Sequence, residues 1–116
     1  MAIPSGSGTE VLKRNWKVDL SNTTYKLIDG PDADHIYTVL SVVFYNTETS
    51  TVSLIGLQIN PAAGADNKLI ADLSLAGKET FVWNDKIVLT GTDELVCVNA
   101  SSTNVDVYCS YIDQHF

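Results

Sequence analysis

The chain has 116 residues, 45% of them apolar, which fits one domain able to bury roughly two thirds of its unfolded surface without disulfide or metal staples. Fourteen acidic against seven basic residues give a net charge of -7, which opposes binding to phosphate backbones, so no nucleic-acid partner is expected. No apolar run approaches the roughly 18 residues of a membrane span, and the N-terminal stretch lacks the apolar centre of about 7 to 15 residues of a secretory signal, so neither membrane nor export route is expected.

Residues 1–8, Met-Ala-Ile-Pro-Ser-Gly-Ser-Gly, are small and flexible in character. They read as an extended N-terminal arm that clasps a neighbour through Ile3 and Pro4, ahead of a single domain over residues 9–116. From Thr9 the pattern alternates, with Leu12, Arg14, Trp16 and Val18 on one side and Val11, Lys13, Asn15, Lys17 and Asp19 on the other, as in a half-buried strand. Ser21-Asn22 turns the chain. Thr23 to Ile28 is a short strand with Tyr25 and Leu27 on one face, stopped by Asp29-Gly30-Pro31-Asp32.

Ile36 to Asn46 is the longest run of β-branched and aromatic residues, uninterrupted by Gly, Pro or charge. One parity holds Ile36, Thr38, Leu40, Val42 and Phe44, the other Tyr37, Val39, Ser41, Val43 and Tyr45, so neither face suits water. A two-sheet sandwich buries one face of each sheet. Tyr37, Val39, Val43 and Tyr45, or else the opposite set, are therefore expected under a loop or arm or against another subunit.

Asn46 to Ser50 is a polar turn, and Thr51 to Ile59 resumes extended structure with Ile55, Leu57 and Ile59 aligned. Residues 60–67 form the longest break and the expected crossing loop, with room for one helical turn. Strands follow at Lys68 to Leu75, Glu79 to Trp83 and Lys86 to Leu89, the last two separated by a tight turn at Asn84-Asp85. Glu94 to Asn99 and Val105 to Asp113 end the chain. Eight or nine short strands with a turn about every 8 to 12 positions, and no 3.6-residue period, predict an all-β antiparallel β-sandwich. An eight-stranded jelly roll is favoured over an immunoglobulin-like sandwich, because Cys97 and Cys109 are close in sequence with no Trp between them.

Chemical motifs are sparse. If Ala100 to Thr103 closes a hairpin, Cys97 falls near Val105 and Cys109 near Asp93, so both are expected to be free thiols. His35 and His115 lie too far apart in sequence for a local ligand pair and read as exposed histidines. Asp29, Asp32 and Asp34 read as turn residues rather than cation ligands, and Gly6-Ser7-Gly8-Thr9 lacks the strand, lysine and helix of a phosphate loop. No serine sits in a Gly-x-Ser-x-Gly elbow, and no carboxylate pair is singled out, so no catalytic, cofactor or metal site is expected. Asn22-Thr23-Thr24 and Asn99-Ala100-Ser101 are chance matches to a glycosylation sequon. Trp16 and Trp83 share parity with Val18 and Phe81, which favours core or interface; a carbohydrate-binding module stacking sugars on them is the alternative from another class.

The stretch from Leu75 to Leu95, Leu-Ala-Gly-Lys-Glu-Thr-Phe-Val-Trp-Asn-Asp-Lys-Ile-Val-Leu-Thr-Gly-Thr-Asp-Glu-Leu, together with the closing strands to Asp113, resembles small tailed-bacteriophage virion proteins. Ser7-Gly8-Thr9-Glu10-Val11-Leu12-Lys13-Arg14 and Asn22-Thr23-Thr24-Tyr25-Lys26-Leu27-Ile28-Asp29 are similar to the same group. The resemblance implies a noncatalytic capsid decoration or cement protein on the outer surface of the virion, often a trimer, bridging copies of the major capsid protein or other virion subunits. Tail, neck and fibre-attachment modules share such sandwiches and are the alternative location.

Overall fold

Nine strands make up most of the described chain in the computed structural model, which describes residues 9–31, 33–61 and 64–116. They are β1 (Thr9–Leu20), β2 (Thr23–Ile28), β3 (His35–Asn46), β4 (Val52–Asn60), β5 (Asn67–Leu75), β6 (Thr80–Trp83), β7 (Ile87–Thr90), β8 (Glu94–Asn99) and β9 (Val105–His115). The expected arm, with Ile3 and Pro4, lies outside the described residues. One sheet runs β1-β9-β3 and continues into β6 and β7, both of which pair with β3; the other runs β2-β8-β4-β5. Every pairing is antiparallel. The result is a β-sandwich with jelly-roll strand order, in which β6 and β7 are two halves of one interrupted strand.

The interruption shows in the register. Trp83 lies opposite Val42 and Ile87 opposite Val39, so Asn84, Asp85 and Lys86 face only two residues of β3. Asn84-Asp85 therefore makes no reversing turn; the chain bulges and continues along the same partner. Two further loops depart from expectation. Residues 60–67 join β4 to β5 within one sheet rather than crossing, and Ala100 to Thr103 carries the chain between sheets instead of closing a β8–β9 hairpin.

The same region of β3 explains its two apolar parities. Val39 pairs with Tyr111 and Ser41 with Ser110, which leaves Leu40 as an extra residue against β9. Side chains alternate along a strand, so one extra residue reverses which parity faces inward. Tyr37 and Val39 point into the core before the bulge, and Val42, Phe44 and Asn46 after it. Both sets serve one core, and the expectation that one whole set must seek another subunit is corrected for Tyr37 and Val39.

Between the sheets, Phe44, Val39, Val42, Val105, Val107 and Cys109 meet Val52, Ile55, Leu57, Leu95 and Cys97. Phe81 packs against Phe44 with ring centroids 6.5 Å apart. Cys97 and Cys109 are free and belong to opposite sheets, so the expected thiol state stands although the hairpin geometry offered for it does not.

Two buried asparagines close the ends of strands with the same five-residue device. The Oδ1 of Asn46 accepts from the Glu48 N–H, and its Nδ2 donates to the Ser50, Leu75 and Ala76 carbonyls at 2.7, 3.2 and 3.1 Å. Asn99 repeats the offsets, accepting from the Ser101 N–H and donating to the Thr103 and Leu20 carbonyls at 2.7 and 2.8 Å. Each side chain is 0% exposed, so the amide supplies partners to backbone groups that water cannot reach. A glycan cannot be attached to Asn99 in this fold. Gly77 lets β5 turn toward β6, because a Cβ there would stand 2.2 Å from the Thr49 carbonyl oxygen.

Asn99→Ala leaves two carbonyls and one N–H without partners and is expected to lower stability by about 2 to 4 kcal/mol. Urea unfolding should show this as a shifted midpoint with an unchanged slope. Ser102→Ala, exposed on the turn between β8 and β9, should shift it by less than about 1 kcal/mol.

Candidate assembly face

β1 is built inside out. Its register against β9 sets Val11, Lys13, Asn15 and Lys17 opposite Asp113, Tyr111, Cys109 and Val107, all buried, so the polar parity of β1 lies on the inner side. Glu10, Leu12, Arg14 and Trp16 oppose Gln114, Ile112, Ser110 and Tyr108 on the outer side. Each inward polar group has a partner within the chain. Lys13 Nζ donates to Asp113 Oδ2 at 2.7 Å, Asn15 Nδ2 donates to the Leu27 carbonyl at 2.9 Å, and the Lys17 ammonium stands 5.4 Å from the Tyr25 ring. Leu12 and Trp16 are left facing out, 71% and 56% exposed, while Val11 is the one apolar member of the inward set.

Across the sheet these side chains fall into rows. Trp16 opposes Tyr108, which opposes Val43, which opposes Val82, so one row of four apolar or aromatic groups crosses four strands. A second row runs Leu12, Ile112, Thr38, Val88. Between them lie Arg14, Ser110 and Ser41, the two serine hydroxyls 3.2 Å apart and the Arg14 guanidinium 5.4 Å from the Trp16 ring. Among the described residues, the outward positions of these strands that have a register partner carry Glu10, Arg14 and Asp106 as charges, two acidic and one basic, on a chain whose total is -7. No other described strand lies over this face. Of the four strand residues expected at an interface, Val43 and Tyr45 are on it, half-buried, whereas Tyr37 and Val39 are in the core.

The end of this sheet holds a polar cluster that sequence reasoning missed. Antiparallel pairing brings His35 opposite His115, and their rings stack with centroids 4.4 Å apart and planes 9° from parallel. His35 is half-buried rather than freely exposed; its Nδ1 lies 2.6 Å from Asp113 Oδ1. Asp113 thus places one carboxylate oxygen on His35 and the other on Lys13. Burial pushes its pKa up, but hydrogen bonds from His35 and Lys13 outweigh this and hold the carboxyl below its ordinary value. The Asp113 hydrogen bond likewise raises Lys13. Tyr37 and Tyr111 pack beside the cluster with centroids 5.0 Å apart. The signal lay in the ends of the two longest apolar strands: a histidine at the start of one and at the finish of the other meet if those strands pair.

Elsewhere the candidate ligands stay dispersed. Among the described residues no three His, Cys, Asp or Glu side chains gather as a metal site, and Asp32 of the Asp29, Asp32, Asp34 loop lies outside them. Trp83 turns inward opposite Val42, and its buried Nε1 has no hydrogen-bond partner among the described residues. Burial pushes the thiols of Cys97 and Cys109 up to about 12 and about 11, so both stay protonated at neutral pH.

Asp113 is ionised in the fold below the pH at which it is ionised in the unfolded chain, so its stabilisation is present above the ordinary carboxyl value of 3.8 and is lost as pH falls through the lower folded value. The stability gap between wild type and Asp113→Asn should therefore be full at about pH 6 and narrow steadily under acid, read by urea unfolding at each pH. In native buffer both cysteines should resist a disulfide-exchange reagent and react fully once unfolded.

No protein-family model matches the chain, and no curated protein matches it. Three chains of solved structures do. One, from work whose title reads "Bacillus endospore appendages form a novel family of disulfide-linked pili", aligns over 100% of this chain and 96% of its own, with a TM-score of 0.56 and 9% identity. At that identity the similarity is one of fold.

Proposed function

We propose that this chain is a noncatalytic structural subunit that coats or builds a larger assembly, and specifically that it decorates a bacteriophage head by seating the outer face of the β1-β9-β3 sheet on shell subunits. The inside-out β1 carries this reading. A strand that turns Lys13, Asn15 and Lys17 inward and Leu12 and Trp16 outward forgoes burial available within its own fold, and an apolar patch of that kind marks a surface meant to be covered. Its low charge suits contact with a partner, while the acidic remainder keeps the free subunit soluble. The resemblance of its sequence to tailed-phage virion proteins supplies the specific setting.

A filament subunit is the second reading, favoured by the full-length fold similarity to an endospore appendage chain. Those pili are described as disulfide-linked. Cys97 and Cys109 are buried here, so a filament of this chain would be held by surface contact unless the core opened.

Electron microscopy of particles carrying the chain separates head, tail and filament locations. Trp16→Ser and Val43→Asp should each weaken co-sedimentation with shells at least about tenfold while leaving a cooperative unfolding transition. Val42→Asp, one position away and facing the core, should abolish folding instead. Wild-type binding by both surface variants would refute this face as the contact.

A further inference from the structure

Three of the four sheet edges offer no long regular stretch. β5 shifts register against β4 at three points and holds Asp72 at a φ of 54°; β2 has six residues and shifts near Ile28; β6 and β7 have four residues each with a bulge between. Such irregularities keep foreign strands from adding to an edge. β1 also shifts, between Lys17 and Leu20, where Asp19 has a φ of 55°, but ahead of that Thr9 to Lys17 pair with His115 to Val107 through nine consecutive positions, the longest regular stretch of the four edges. Its other side has no strand partner among the described residues. Edge lysines can also discourage pairing, but Lys13 and Lys17 sit on the inner side, engaged with Asp113 and Tyr25.

We propose that β1 is the edge on which a second copy of this chain docks, strand to strand and antiparallel, about a two-fold axis at Leu12. The choice of partner follows from charge. A two-fold antiparallel pairing that keeps inner and outer faces continuous can be centred on any one residue of the strand. Centring on Glu10, Lys13 or Arg14 sets like charges against each other at the axis, and centring on Asn15 sets Lys13 against Lys17. Centring on Leu12 sets Glu10 against Arg14 of the second copy, twice by symmetry, with Val11 beside Lys13 and Thr9 beside Asn15. It also covers Leu12, at 71% the most exposed large apolar residue described, with its own symmetry mate. Within Thr9 to Lys17, centring on Val11 or Trp16 avoids like charges but pairs no opposite ones, so only the register at Leu12 sets opposite charges against each other. The pairing is two-fold, unlike the trimer that the phage resemblance implies, and it rests on the assembly reading only in that both use β1.

Sedimentation of the full chain should show a monomer–dimer equilibrium with a dissociation constant on the order of 10 μM, as fits a small contact of one strand pair. Arg14→Glu should weaken it at least about tenfold, and the double variant Glu10→Arg/Arg14→Glu should restore it, since the swap recreates both pairs. Both positions are exposed, so folding is checked by thermal melting and is expected to hold. A chain that stays monomeric at about 0.5 mM, a trimer, or a double swap that fails to rescue a folded protein would each overturn the pairing. Shell binding that persists in a monomeric Arg14→Glu variant would leave the decoration reading intact while separating it from dimerisation.

Discussion

A sandwich of two sheets has one interior, and the fold depends on how β3 meets that constraint. Its twelve residues carry apolar side chains on both parities, which an unbroken strand would have to divide between core and solvent. The extra residue at Leu40 removes the conflict by rotating the second half of the strand, so Tyr37, Val39, Val42 and Phe44 all point one way. Matching irregularity in the neighbouring strand, at Asn84 to Lys86, lets β6 and β7 follow the change of face. The outcome on the opposite surface is that Val43 and Tyr45 are brought out beside Tyr108 and Val82, so one bulge fills the core and composes the outer face.

Polar groups inside the sandwich appear where strands leave it. Asn46 and Asn99 sit at the ends of β3 and β8 and satisfy the backbone of the turn that follows, while Asp113 near the end of β9 is matched by His35 and Lys13. A lone buried carboxylate would cost several kcal/mol and would shift toward its neutral form. Here hydrogen bonding to the charged form wins, which is why the direction of its shift is downward despite burial. Lys13 reaches Asp113 only because β1 turns its polar parity inward. The exposure of Leu12 and Trp16 is thus the other side of the same orientation, fixed in part by the ion pair rather than by apolar burial.

The strands themselves were legible in the alternation of side chains and in the turn residues between them, and their bounds agree within a residue or two along the chain. The sandwich class followed from strand number and spacing; the jelly roll was the favoured topology, but its strand order does not follow from them. Pairing partners were harder, because local parity does not say whether a polar loop reverses a strand beside its predecessor or sends it to the opposite sheet. The β8–β9 connection and Asn84-Asp85 were misread for that reason. A bulge centred on Leu40 leaves no mark either, since an apolar residue there continues the pattern on both sides; hence Tyr37 and Val39 were grouped with Val43 and Tyr45. The apolar outer face was half visible, in Val43 and Tyr45, and the stacked histidines and the Asp113 cluster became visible only with the β3–β9 pairing.

Two features left uncovered among the described residues, an apolar face and an edge that is regular from Thr9 to Lys17, share β1. Pairing along an edge extends a sheet in its own plane and leaves its faces free, whereas docking on a face leaves the edges free. A second copy added at β1 would therefore not compete with a shell or filament partner for Trp16, Tyr108 and Val43. It would set two such faces side by side on one continuous sheet. Contacts too weak singly then act together, and the linkage is short because the faces meet at the strand pair itself. Strand twist sets the limit on this gain, since adjacent strands rotate by roughly 20 to 25° and the two faces cannot be coplanar over their whole width. A curved or junction-spanning partner surface fits such a pair better than a flat one, which is the kind of surface that neighbouring subunits of a closed shell present.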